Sequence, residues 1–161
     1  MTLTIGDRPP AFSLPCTGGE TVSLDGLQGR KAVLYFYPKD DASGCTREAQ
    51  EFQALKAEFA AADTAVVGIS SDSLGSHVRF RAKYGLEFPL ASDEGRAMLE
   101  AFGVWVEKSM YGRTYMGTER TTVLLDRDGT VAKVWPKVKV PGHAREVLEA
   151  AKALQGEVSS S

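Results

Sequence analysis

Cys45 is the residue whose surroundings are best suited to chemistry. It follows Ser43 and Gly44 and opens an amphipathic pattern directly after the apolar run Ala32-Val33-Leu34-Tyr35-Phe36-Tyr37, which Pro38 closes. A thiol at the start of a helix lies among backbone N–H groups that have no acceptor inside the helix, so an anion there is favoured. With Ser43 read as the N-cap, Gly44 and Cys45 take the first two helical positions. The helix dipole contributes about 0.3–1 kcal/mol, up to roughly 2 in a partly buried site, against about 1.4 kcal/mol for each tenfold change in an acid equilibrium. A dedicated thiolate nucleophile therefore needs a further cation, most simply an arginine. On position alone the other reading stands beside this one, because a free cysteine is among the most buried residue types and packs as a small hydrophobe.

The elements that must hold such a thiol are legible in the periodicity. Short β-rich runs alternate with helical patterns, which points to an α/β domain. Residues 32–37 read as a central strand buried on both faces. Ala49, Phe52, Leu55 and Phe59 recur at helical spacing, which predicts one helix over 43–61. Residues 64–69 read as a second buried strand. Asp72 or Ser73 caps a helix running to Lys83 and stopped near Gly85, and Asp93 caps another running to Phe102. Strands over 121–126 and 131–135 flank Asp128-Gly129, whose turn chemistry predicts a hairpin. Pro141 marks the start of a last helix whose buried face is Val147, Ala151 and Leu154. Ahead of all this, Phe12-Ser13-Leu14 and Val22-Ser23-Leu24 bracket Gly18-Gly19 as a small N-terminal hairpin, and the polar tail 157–161 is expected to fray.

Composition sets the outer bounds. The chain has 161 residues, 43% hydrophobic and 25% charged, which fits one globular domain over 1–161. A net charge of −2 gives no reason to expect nucleic acid or an anionic membrane as partner. Lys133, Lys137 and Lys139 read as an ordinary solvated strand and turn. The first residues lack a signal-peptide pattern and no long apolar span occurs, so a soluble, cytoplasmic protein is expected. Two distant cysteines, Cys16 and Cys45, imply no disulfide scaffold and permit a reducing compartment. His77 and His143 make no zinc or haem spacing with them and read as surface or capping residues. Asp126-Arg127-Asp128-Gly129 has too few oxygen ligands for a calcium loop. For Trp105, Tyr111 and Tyr115 two readings stand, lining of the site or of a partner surface and core packing, of which core packing is preferred.

The stretch Phe36-Tyr37-Pro38-Lys39-Asp40-Asp41-Ala42-Ser43-Gly44-Cys45-Thr46-Arg47-Glu48 resembles the peroxidatic-cysteine loop of peroxiredoxins, with its pattern P-x-x-x-T/S-x-x-C. The subgroup it is similar to is the bacterioferritin comigratory protein or peroxiredoxin Q type. The likeness continues in Pro10-Ala11-Phe12-Ser13-Leu14-Pro15, Val67-Gly68-Ile69-Ser70-Ser71-Asp72, Gly103-Val104-Trp105, Met110-Tyr111-Gly112, and the run from Val134 to Ala144 that contains Trp135-Pro136-Lys137 and Pro141-Gly142-His143. It implies a thioredoxin-like α/β fold with a central mixed sheet flanked by helices. It also implies reduction of hydrogen peroxide and organic hydroperoxides without metal or bound organic cofactor. Cys45 matches the peroxidatic cysteine, Pro38 the proline that shields the pocket, and Arg120 the arginine that holds thiolate and peroxide. Glu48 matches a glutamate one helical turn after the cysteine that orients the polar groups around it. Donors aimed at the oxygen where charge develops are what O–O cleavage by a thiolate requires.

Two positions depart from the family pattern. Ala42 stands where a threonine or serine hydroxyl is expected, and losing a hydrogen bond to a charged group costs about 1.5–3 kcal/mol, or roughly ten- to a hundredfold in rate. A slower peroxidase is expected, unless Ser43 or a water supplies the hydroxyl, and Ser43 is read as the cap. Gln50 stands where many members carry a resolving cysteine, and Leu74 to Tyr84 contains none. The chain thus reads as a one-cysteine type recycled by an external thiol such as thioredoxin, glutaredoxin or a small thiol. Bridging Cys16 to Cys45 would need their Cα atoms within about 7 Å. A monomer is expected for this subgroup. The reading from a different class is a weakly active redox sensor or holdase that uses the same fold and a slowly oxidised Cys45.

Overall fold

Strand β3 (Lys31–Phe36) is buried along its whole length because its two faces feed two cores. Val33 and Tyr35, followed by Tyr37, pack into one, and Ala32, Leu34 and Phe36 into the other. That period-two division of an unbroken apolar run is what a strand between two helical layers produces. The computed structural model describes residues 3–154, so the expected fraying of 157–161 lies outside the described residues.

In chain order, β1 (Ser13–Cys16), β2 (Glu20–Ser23) and the single turn α1 (Leu24–Leu27) precede β3. Helices α2 (Ser43–Ala54) and α3 (Lys56–Ala61) lead to β4 (Thr64–Ser70). Then come α4 (Leu74–Tyr84), β5 (Leu90–Ser92) and α5 (Ala97–Ala101). The hairpin β6 (Trp105–Met110) and β7 (Arg113–Thr118) leads to β8 (Thr121–Leu125), β9 (Val131–Trp135) and α6 (His143–Ala153). Seven strands form one mixed sheet in the order β2-β1-β5-β4-β3-β8-β9, with β6 and β7 as a separate pair. The centre, β3 with β4 and β4 with β5, is parallel, whereas β8, β9, β1 and β2 join antiparallel. Helices α2, α3, α4 and α6 contribute to the core that holds Tyr35, and α1 and α5 to the core on the opposite face. A central mixed sheet between two helical layers, with the N-terminal hairpin β1–β2, is the arrangement that the resemblance implied.

Several expectations need correction. The single helix over 43–61 is two, broken at Leu55, which leaves helical geometry at φ −102° and ψ 8°. The N-cap of α2 is Ala42, not Ser43, and its methyl makes no capping hydrogen bond. Asp93 does supply a cap to the next helix, but from farther ahead than expected. Its carboxylate accepts from Leu99 N at 2.8 Å, across the left-handed Arg96, and α5 begins only at Ala97. Pro141 stands ahead of α6, whose N-cap is Gly142 at φ 81°. His77 and His143 are buried rather than surface residues, because Asp40 and Thr122, both remote in sequence, take up their ring nitrogens. Tyr111 and Tyr115 are exposed, at 97% and 44%, and Trp105 is half-buried under the Arg96 guanidinium. All three belong to the hairpin β6–β7, which the periodicity did not reveal.

Candidate active site

The strand β3 and the helix α2 are joined by the six-residue loop 37–42, and its geometry decides where α2 begins. Asp41 adopts φ 66°, a left-handed conformation that a short acidic side chain tolerates, and its carboxylate is held by Lys83 and Tyr84 of α4. Ala42 then returns to extended geometry, and its carbonyl accepts the first bond of the helix from Thr46 N at 2.8 Å. Ser43, Gly44 and Cys45 are thus the first three helical residues, and their N–H groups precede that first bond. Cys45 is one position deeper than the sequence implied, yet it remains in the first turn, where the dipole acts.

Cys45 is 1% exposed and packs in the core that contains Tyr35, Tyr37 and Phe52. Arg120 reaches it from the short link between β7 and β8. That link is pinned on both sides, by Glu119 N to Val104 O at 2.7 Å and by Val138 N to Arg120 O at 2.9 Å. The guanidinium forks: Nη2 donates to Cys45 Sγ at 3.3 Å and Nη1 donates to Glu48 Oε1 at 2.6 Å. Glu48 follows Cys45 by one turn of α2, so both side chains meet the same planar group. Burial works against the charge of Arg120, but the neighbouring Glu48 and Cys45 outweigh it and hold the guanidinium more firmly protonated than usual. Burial dominates at Glu48, where it pushes the carboxyl from its ordinary 4.5 up to about 7 against the pull of Arg120. Its Oε2 is buried and has no hydrogen-bond partner among the described residues.

Cys45, Glu48 and Arg120 are therefore brought together from two distant stretches of chain. Pro38, half-buried, opens the same loop without joining their hydrogen bonds. Ala42 and Gln50 are exposed. Lys108, on β6, was missed. Burial lowers its affinity for a proton, and Arg120 lowers it further against Cys45 and Glu119. Gly117 makes room for its stem, since a Cβ there would lie 3.3 Å from Lys108 Cδ. Only the hairpin pairing of Lys108 with Tyr115, in which Gly117 is the next residue on that face, brings this amine toward the site.

Cys16 lies elsewhere. It pairs with Ala91, Ala91 with Ile69, and Ile69 with Phe36, so three strand spacings, roughly 14 Å, separate it from the central strand. It packs with Phe36, Ile69 and Ala91, whereas Cys45 packs with Tyr35 and Tyr37. The sheet stands between the two sulfurs, and both are free thiols. Among the described residues no cluster of three or more His, Cys, Asp or Glu could hold a metal ion.

A thiol beneath a forked guanidinium at a helix start has surroundings that suit attack on a polar, weakly bonded oxygen. The AhpC/TSA family model matches residues 5–134. The chain belongs to the AhpC/TSA family. Within it, the chain is a peroxiredoxin of the Bcp or peroxiredoxin Q type. Peroxiredoxin Bcp of Bacillus subtilis is 43% identical over 152 residues, 94% of this chain and 97% of the relative. A structure of the Xanthomonas campestris bacterioferritin comigratory protein, described in terms of its alkyl peroxide reduction activity, is 46% identical with a TM-score of 0.84 over 88% of this chain and 90% of that one. A cysteine-to-serine variant of Xylella fastidiosa PrxQ superposes with a TM-score of 0.90 at 39% identity, over 95% and 98% of the two chains. Like its relatives, this peroxiredoxin is a thiol peroxidase. Among the described residues no helix is long and apolar enough to cross a membrane.

Proposed function

We propose that Cys45 is the peroxidatic sulfur and that Arg120, Glu48 and Pro38 form its site, in a one-cysteine peroxidase of hydrogen peroxide and organic hydroperoxides. The observation that carries this is the fork of Arg120 between Cys45 Sγ and Glu48 Oε1. The thiolate attacks the terminal oxygen of ROOH. An S–O bond forms as the O–O bond breaks, the sulfur loses two electrons to become a sulfenic acid, and RO⁻ takes a proton from water and leaves as ROH. Arg120 Nη2 and the N–H groups at the start of α2 are the donors available to the leaving oxygen. Glu48 fixes the plane of the guanidinium. Pro38 contributes no N–H donor, so it adds apolar cover without competing for the peroxide.

Recycling requires an external thiol, which attacks the sulfenic sulfur, releases water and leaves a mixed disulfide for a second thiol to open. Thioredoxin, glutaredoxin and small thiols all have that chemistry, and the reading places a monomeric enzyme in the cytoplasm, where such thiols are reduced. The test is stopped-flow tryptophan fluorescence with intact mass after one equivalent of hydrogen peroxide, with Cys45→Ser and Arg120→Lys beside the parent. Fast oxidation that needs Cys45 and leaves a one-oxygen adduct is the expected result. Loss of the Arg120 fork is expected to slow it by about 10²–10³-fold. Reaction no faster than that of a free thiol would instead favour the sensor or holdase reading, in which Ala42 has disabled the site.

A further inference from the structure

Below the loop 37–42, on the side of α4, lies a second buried polar cluster that the peroxide chemistry does not use. Asp40 is 7% exposed, Tyr37 1% and His77 0%. Tyr37 Oη donates to Asp40 Oδ1 at 2.6 Å, and Ser76 Oγ donates to Asp40 Oδ2 at 2.7 Å. His77 Nδ1 lies 2.7 Å from the same Oδ2, and its Nε2 lies 3.0 Å from the carbonyl oxygen of Ala91. A carbonyl only accepts, so Nε2 carries a proton. Both oxygens of Asp40 already accept hydroxyl protons, which is the pattern of a carboxylate, and a carboxylate beside Nδ1 calls for a second N–H. Burial alone would raise the Asp40 carboxyl, but the bonds from His77, Tyr37 and Ser76 outweigh it and hold it below its ordinary value.

We propose that His77 is a positioning residue: hydrogen-bonded to Asp40 through Nδ1, it fixes the loop 37–42 and thereby the place of the Cys45 sulfur under Arg120. This rests on Cys45 being the reacting sulfur. The reason the loop needs such an anchor is on the helix itself, since Ala42 offers α2 no side-chain cap. The start of α2 is held instead from α4 and its approach. His77 and Ser76 hold Asp40, the Asp72 carboxylate accepts from Asp40 N at 2.9 Å, and Lys83 holds Asp41. The charged or titratable groups facing the ring are Asp40 on the loop and Tyr37 after β3, with Asp72 behind them and Asp41, Lys83 and Arg79 along the outer rim. Only two residues separate Asp40 from Ser43, so a shift of Asp40 displaces the first turn of α2.

The test compares two reactions of the same thiol in His77→Asn. Alkylation by iodoacetamide needs the thiolate alone, whereas peroxide reduction also needs its alignment with Arg120. The expected result is a peroxide rate lower by about ten- to a hundredfold, with alkylation at matched thiolate fraction little changed and the far-UV spectrum retained. An equal loss in both reactions, or a peroxide rate that does not fall, would overturn the proposal. Should the variant not fold, nitrogen–proton NMR of the His77 ring in the unaltered protein decides. A proton on Nδ1 shared with Asp40 supports the pairing, and a bare Nδ1 overturns it. If the unaltered protein reacts with peroxide no faster than a free thiol, the peroxidase reading is what fails, and the ring spectrum still reports on the pair.

Discussion

Glu48 links local burial to a property measurable in bulk. Between about pH 4.5, the ordinary carboxyl value, and about 7 in the folded protein, the native state keeps a proton that the unfolded chain has released. Raising the pH through that window therefore lowers stability, and the loss is complete above it. Melting temperature is expected to fall over this range in the parent protein, and Glu48→Gln, which cannot ionise, is expected to remove that part of the slope. A parent and variant with parallel profiles would contradict the assignment. Gly44 gives a test of opposite signs. A Cβ there would meet Arg120 Nη2 at 3.3 Å, while glycine inside a helix costs roughly 0.5–1 kcal/mol relative to alanine. Gly44→Ala is thus expected to raise the melting temperature and to slow peroxide oxidation of Cys45; a variant both more stable and equally fast would show that the guanidinium yields freely. Cys45, Glu48 and Arg120 could be picked out in advance because they occur in recognisable strings, and the structure brings their side chains together. Lys108 and the pair Asp40–His77 could not, since what surrounds them comes from contacts remote in sequence.

At the level of the element, the start of α2 is the informative case. Serine is a far better N-cap than alanine, so cap preference favoured position 43, but the chain enters the helix one residue earlier. The left-handed Asp41 and its ties to α4 set that entry, and local preference gave way to them. Ala42→Thr is therefore expected to act twice. A hydroxyl at the N-cap contributes about 1 kcal/mol, or roughly 2–4 °C in melting temperature, and on the proposed reading it restores the hydroxyl that the family pattern expects at this position. Both the melting temperature and the peroxide rate constant should rise; an unchanged or lower rate would refute the catalytic half. The other misreadings share a cause. The break at Leu55 interrupts a periodic apolar stripe without any proline or glycine, and β6–β7 is a mostly exposed hairpin in which alternation is weak.

For the whole molecule, the two-sided burial of β3 made the α/β class readable, because only a central strand carries an unbroken apolar run of that kind. Which helices lie on which face was not readable, and it is that division which sets Cys16 and Cys45 apart. Cys16→Ser is expected to leave the rate of Cys45 oxidation unchanged, and intact mass after one equivalent of peroxide is expected to show an added oxygen. A loss of two hydrogens would mean that the sulfurs meet despite the sheet. The partition has a further consequence for turnover. A resolving thiol tethered on the same side would face the sulfenic acid at a millimolar effective concentration, whereas a free reductant offers only its own concentration in solution. On the proposed reading, the oxidised enzyme waits for a second molecule, so its steady-state population reports the supply of reducing thiols. The same delay lengthens the interval in which another peroxide can carry the sulfur on to sulfinic acid.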